Sequence, residues 1–287
     1  MEKTRGIVLI AAGSHVYGQL AFNCAMSIKQ TDMDMKISLI WSGNGKLHLE
    51  KYLAMFDQVI EIPKECITRN GLESLLRSKV CLYDLSPYDE TIFIDADVIL
   101  FPFKPISQIF ELLKDVDITI GNRGKTDLNT DPRLIWAKPQ DMLEKFGDVT
   151  IYNLSSEFIY FKKCDKVKDF FDKAKAAFDN PGIEYTRFAG GPSDELAFQI
   201  AMIQTGIIPH QSPYLPFYWS PYQKTNKTLT ELYKEDWYGY SIGGASLTPQ
   251  QKNNYDTLAK VYAKAFGVKY PFLCKSKREL FTNRRDI

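Results

Sequence analysis

Apolar runs and amphipathic runs alternate along the first 122 residues, and this alternation limits the fold more than any other feature. Gly6–Ala12 is continuously apolar, as a strand buried on both faces of a parallel sheet requires. A loop at Gly13–Tyr17 leads to an amphipathic helix from Gln19 to Lys29. The pattern then repeats: strand 36–41, helix 47–56, strand 58–63, helix 72–85, an apolar strand from Ile92, helix 106–115 and strand 117–122. Such an order predicts an α/β fold, a single mostly parallel central sheet flanked by helices. Ligands of such sheets bind beyond the carboxyl ends of the strands.

One of those ends is unusual. In ETIFIDADVILF the strand reaches two acids, Asp95 and Asp97, with Ala96 between them. Carboxylates beside a core are costly unless something neutralises them. If the strand kinks there, both can serve one hard cation, Mn2+ or Mg2+, which takes oxygen ligands and shares them with substrate phosphates. The plainer reading is a pair of acids closing a strand and capping a turn.

Beyond residue 122, the stretch 123–150 reads as irregular, 157–163 as a strand and 167–178 as a helix. The segment 190–206 reads as a turn, an N-cap at Ser193, and a helix with Asp194 and Glu195 in its first turn. Two acids there can simply favour the helix dipole. Periodicity then fades until a helix at 255–266.

Composition excludes several classes. With 36 basic and 35 acidic residues the net charge is +1, so no global field draws nucleic acid or membrane. The tail is the exception: Lys275, Lys277, Arg278, Arg284 and Arg285 suit a solvated end or contact with an anionic surface. The five cysteines form no C-x-x-C pair, and the start of the chain does not read as a signal peptide. No apolar run is long enough for a transmembrane segment. A reduced, cytoplasmic protein is the expectation.

The stretch RSKVCLYDLSPYDETIFIDADVILF resembles the D-x-D region of the family 8 glycosyltransferases, the group of glycogenin and the lipopolysaccharide galactosyltransferases. The matching pieces are Arg77 and Lys79, Leu82 and Leu85, Pro87-Tyr88 and Ile92–Asp97. VLIAAGSHVYGQLAFNCAMSI looks like the family's first strand, nucleotide loop and helix, with Tyr17 at the base-stacking tyrosine and Ser27 at a matching serine. LSSEFIYFKK resembles its N-S-G-V-F-V strand, with Ser155 for the Asn and Glu157 for the Gly. GGPSDELAFQIAM resembles its G-D-Q segment, with Asp194 at the Asp and Glu195 at the Gln. YSIGGASLTP stands where the family has His-x-x-Gly-x-x-Lys-Pro, with Tyr240 for the His and Ser246 for the Lys.

The resemblance implies a GT-A-type nucleotide-diphospho-sugar transferase fold and retaining, metal-dependent transfer from a nucleotide sugar, in the UDP form. It implies a catalytic domain over 1–245 and a C-terminal helical extension with the basic tail over 246–287. Asp95 and Asp97 would be metal ligands. Ala11, Ala12, Tyr17, Lys79, Asp95, Ala96, Asp97, Ser155 and Gly243 would contact the donor, and Lys79 would add positive charge at its phosphates. Gly243 and Gly244 could offer backbone N–H groups to phosphate. Asp194 and Glu195 would be catalytic, holding the sugar and its developing positive charge, with Glu195 also able to act as a nucleophile. His210 could replace the missing metal ligand. The acceptor stays open: a glycan, a protein, a lipid-linked sugar or a modified nucleic acid. The alternatives are a haloacid-dehalogenase-like phosphatase, whose motif is also Asp-x-Asp after an apolar strand, and a catalytically impaired nucleotide-sugar-binding protein.

Overall fold

A computed structural model describes residues 3–44, 50–220, 226–243 and 247–269. Gly244, Ser246, the basic tail and the start of the helix expected at 47–56 lie outside the described residues.

The strands are β1 (Arg5–Gly13), β2 (Ile37–Gly43), β3 (Gln58–Glu61), β4 (Thr68–Arg69), β5 (Leu72–Glu73), β6 (Glu90–Asp95), β7 (Val98–Leu100), β8 (Ile118–Lys125), β9 (Tyr152–Lys162), β10 (Phe217–Trp219) and β11 (Gly239–Ser241). The helices are α1 (His15–Thr31), α2 (Glu50–Leu53), α3 (Arg77–Val80), α4 (Leu82–Leu85), α5 (Ser107–Leu112), α6 (Pro139–Phe146), α7 (Asp165–Asp179), α8 (Asp194–Thr205), α9 (Leu229–Leu232) and α10 (Pro249–Ala265).

The central sheet has six strands in the order β3-β2-β1-β6-β9-β8. β1, β2 and β3 run parallel, with Leu9 opposite Leu39 and Ile40 opposite Ile60. β8 and β9 are antiparallel. A three-stranded sheet, β10-β11-β7, and the hairpin β4-β5 complete the strands.

The expected alternation is present, with three corrections. α1 starts at His15, so Tyr17 lies in its first turn and not in a loop. Ser14 caps it, its Oγ accepting from Val16 N–H. The helix expected over 72–85 is instead a hairpin strand followed by α3 and α4, each four residues long. The expected irregular stretch 123–150 contains the end of β8 and α6, which has proline at its start.

The chain packs as two compact units. The first comprises the described residues up to Arg5, with Ile62–Phe93 and Asp115–Leu215. Its core is aromatic: Phe198 of α8 stacks on Phe170 of α7 at 5.9 Å and meets Phe171 edge-on. Glu90 is buried there and compensated, accepting from Arg5 Nε at 2.6 Å and from the Tyr160 hydroxyl.

The second comprises the described residues of Gly6–Glu61, Ile94–Lys114 and the chain from Pro216 on. α1 is buried almost all round from Leu20 to Ile28, as a helix inside a core must be. α10 packs on it, and Asn23 Nδ2 donates to the Tyr255 hydroxyl at 3.2 Å.

Candidate functional site

Strand β6 has Ile92, Phe93 and Ile94 fully buried and ends at Asp95, and from Ile94 on it belongs to the second unit. Ala96 and Asp97 form a turn, and β7 resumes at Val98. The kink that a shared cation site needs is therefore present. Both acids are part-exposed.

Three elements hold this turn. β11 pairs antiparallel with β7, Tyr240 opposite Ile99, and Ile242 N–H donates to the Asp97 carbonyl at 3.2 Å. The approach requires glycine at 239, because a Cβ there would stand 2.8 Å from the Ile99 carbonyl oxygen. From α1, the Ser27 hydroxyl donates to the Cys24 carbonyl at 2.6 Å and accepts the Leu100 N–H at 2.9 Å. From α10, the Tyr262 hydroxyl donates to the Leu100 carbonyl at 2.5 Å.

The two carboxylates act on a common neighbour. The Cys24 thiol is pushed up by burial, and then by the charges of Asp97 and Asp95. Two part-exposed carboxylates on one turn suit a hard divalent cation that keeps water and takes phosphate oxygens. Among the described residues no third His, Cys, Asp or Glu joins them in a metal-binding group. Tyr240, aligned with the family's His, is fully buried and stacks on Tyr218 with 5.7 Å between ring centroids.

Of the other nucleotide candidates of this unit, Ala11 and Ala12 lie at the end of β1 and Tyr17 at the start of α1. Ala11 is buried and pairs with Trp41, Ala12 pairs with Ser42, and Tyr17 is 36% exposed one turn into α1. Gly243 N–H donates to the Ser241 hydroxyl at 3.2 Å.

In the first unit, α8 positions the remaining acids. Ser193 caps it, its Oγ accepting from Glu195 N–H at 3.1 Å. Asp194 is 3% exposed, and its Oδ2 lies 3.7 Å from Lys79 Nζ. Lys79 also donates to the Ser156 hydroxyl at 3.2 Å and lies 5.4 Å from the Phe93 ring centre.

Glu195 is held by both oxygens: Oε2 accepts from the Trp136 indole N–H at 2.7 Å, and Oε1 from the Ser156 N–H at 3.1 Å. Burial pushes its carboxyl above the usual glutamate range, and the Asp194 charge adds to this. The Arg123 guanidinium and the two N–H donors oppose the shift. The aim of Ser156 N–H follows from a bulge in β9. Ile120 pairs with Ile159, but the next residue, Gly121, pairs with Ser155, leaving 156–158 out of the ladder. Ser155 itself is buried, its Oγ accepting from Arg123 Nη2 at 3.1 Å.

Trp136, Ser156 and Arg123 have no local sequence signal. Each reaches Glu195 or its neighbour through pairing of distant segments. His210 is exposed, and its backbone N–H donates to the Thr119 hydroxyl.

No protein-family model and no curated protein matches the sequence. Solved structures do match. The WbbM bifunctional glycosyltransferase superposes with a TM-score of 0.56 at 11% identity, covering 99% of this chain and 52% of the other. The galactosyltransferase LgtC, solved with donor and acceptor sugar analogues, gives 0.53 at 11% identity over 98% of this chain and 100% of its own. This chain thus spans about half the length of the first structure and the full length of the second. Its fold is the GT-A fold of these glycosyltransferases.

Proposed function

We propose that this chain is a glycosyltransferase that moves a sugar from a nucleotide sugar, UDP-linked by preference, to an acceptor hydroxyl. The observation that carries this reading is the Ala96–Asp97 turn, where a buried strand of a GT-A fold ends in two part-exposed carboxylates. Asp95 and Asp97 would hold Mn2+ or Mg2+, which when bound supplies Lewis-acid neutralisation of the diphosphate leaving group. Ala11, Ala12, Ala96, Tyr17 and Gly243 belong to the nucleotide side of this reading. Tyr17 offers an exposed ring for the base.

Asp194, Glu195, Lys79 and Ser155 belong to the sugar side. In transfer the bond from the anomeric carbon to the diphosphate oxygen breaks and one to the acceptor oxygen forms. The acceptor proton leaves with the diphosphate. Glu195 is pinned by two donors, so its negative charge is oriented before positive charge develops on the sugar. Retention of configuration follows from the family resemblance. So do the assignment of catalysis to 1–245 and the extension at 246–287, while work in the cytoplasm rests on the pattern of the five cysteines. Among the described residues no helix is long and apolar enough to cross a membrane.

One assay tests the reading. The chain is incubated with UDP-sugars, with and without Mn2+, while UDP release and thermal shift are followed. Mn2+-dependent protection by UDP together with UDP release is the expected result. Tyr240, buried where the family has a metal-binding His, favours one second reading, a catalytically impaired nucleotide-sugar binder. Protection without release, even to water, would select it. The GT-A fold favours both over the phosphatase, which release of phosphate from a monoester would support.

A further inference from the structure

Two buried thiols of the first unit lie against each other. Cys66 sits in a 3-10 turn over Lys64–Ile67, and Cys81 follows the last residue of α3. The β4–β5 hairpin lies between them along the chain. The Cys81 thiol donates a hydrogen bond to the Cys66 sulfur.

Arg77 ties the two segments together. Its Nη1 donates to the Cys81 Sγ at 3.6 Å and to the carbonyl of Glu65, the neighbour of Cys66, at 2.5 Å. Its Nε and Nη2 donate to the two carboxylate oxygens of Asp179, each at 2.8 Å. The two thiols differ in character. Cys66 is held below the usual cysteine range, first by the hydrogen bond from Cys81 and then by the Arg77 charge, against burial and the Glu65 charge. Cys81 is pushed up by the same hydrogen bond and by burial. Cys66 is 7% exposed and Cys81 1%. The outer sulfur is thus the one ready to ionise, and the inner one stays a thiol beside it. The turn and α3 are each four residues long, so little has to open for a small reagent to reach Cys66.

We propose that Cys66 and Cys81 form a reversible modification site, a dithiol that a small-molecule disulfide such as oxidised glutathione converts to an intrachain disulfide. The Cys66 thiolate attacks one sulfur of oxidised glutathione, whose S–S bond breaks, and one glutathione thiolate leaves. Cys81 gives its proton to that thiolate, and its sulfur attacks the Cys66 sulfur. The second glutathione leaves as a thiolate and takes up the proton that Cys66 had released. The protein loses two electrons, and one oxidised glutathione becomes two reduced ones. The bond has a consequence through α3, which carries Lys79 beside Asp194 and Ser156. A covalent S–S bond is shorter than the contact it replaces, so closing it draws α3 toward the 3-10 turn and shifts Lys79. The effect on turnover rests on the glycosyl-transfer reading, and the dithiol site does not.

Peptide mapping by mass spectrometry tests the site on the full native chain, so no variant has to fold. The chain is treated with oxidised glutathione, its remaining thiols are blocked, and it is digested without reductant. The expected product is a peptide pair joined through Cys66 and Cys81, reopened by dithiothreitol, with Cys24 and Cys164 unbridged. In Cys81→Ser the reaction should stop at a glutathione adduct on Cys66. A native chain whose two thiols stay free, or whose Cys66 keeps a glutathione adduct that Cys81 never displaces, overturns the proposal.

UDP release from a UDP-sugar is then compared in the reduced and bridged chains. Bridging should lower it about tenfold, as a displaced charged group does, with recovery on reduction. Cys66→Ser should keep the release and lose its response to oxidised glutathione. A bridge that leaves release unchanged overturns the link to Lys79 and leaves the glycosyl-transfer reading intact. A bridge in a chain that releases no UDP in either state upholds the dithiol site and overturns that reading instead.

Discussion

Asp95 and Asp97 sit on one turn as two like charges, so removing one relieves repulsion and also removes a ligand. Asp97→Asn should therefore leave thermal stability unchanged or slightly raised in the absence of metal, while abolishing Mn2+-dependent protection by UDP. Turnover should fall by about two to three orders of magnitude, the scale of losing one electrostatic stabiliser. Thermal shift and UDP release measure the two effects on one sample. Glu195 carries a pH prediction. Its folded carboxyl holds a proton more tightly than the unfolded one, through burial and the Asp194 charge. Ionising it thus works against folding: stability falls as pH rises from the ordinary glutamate pKa through the raised folded value, and is flat beyond. In Glu195→Gln that part of the stability–pH slope should vanish, whatever constant cost the lost hydrogen bond adds. Chemical unfolding at a series of pH values reads the slope directly.

The bulge in β9 carries a prediction at the scale of elements. A Cβ on Gly121 would lie 2.8 Å from the Ser155 carbonyl oxygen, on the rigid backbone that shapes the bulge. Gly121→Ala should cost about 1–3 kcal/mol and turn Ser156 N–H away from Glu195, lowering activity more than stability predicts. Ser27→Ala is the counterpart in the second unit, leaving the buried Leu100 N–H without its acceptor at a cost of about 1–3 kcal/mol. Sequence periodicity served the strands well, since β1 and β6 lie where the continuous apolar runs place them. It misled over 72–85, where leucines suggested one helix. There Asn70 and Gly71, with φ of 51° and 80°, turn the β4–β5 hairpin. Asn-Gly is a strong hairpin signal, and it outranks helical spacing over so short a window. The stretch 123–150 was expected to be irregular, yet Pro139 occupies the first turn of α6, where its missing N–H costs nothing.

Across the whole molecule, the candidate residues divide between the two units: Ala11, Ala12, Tyr17, Asp95, Asp97 and Gly243 fall in the second, and Lys79, Ser155, Asp194 and Glu195 in the first. Acids on an apolar strand and acids in a capped first turn were legible because each is a local pattern. The hold of Trp136 and Ser156 on Glu195 was not, because it depends on a loop and a bulge that are set by pairing far along the chain. The division predicts two separable footprints. A ligand bound to the folded state stabilises the segments it touches, so it slows their local opening and amide exchange. UDP with Mn2+ should slow exchange at the end of β1, the first turn of α1, the β6–β7 turn and β11. A UDP-sugar in place of UDP should also slow 77–80, 152–157 and 193–196. If UDP alone protected the second set and left the β6–β7 turn unchanged, Asp95 and Asp97 would not be where the nucleotide binds, and the nucleotide and sugar roles of the two units would have to be exchanged.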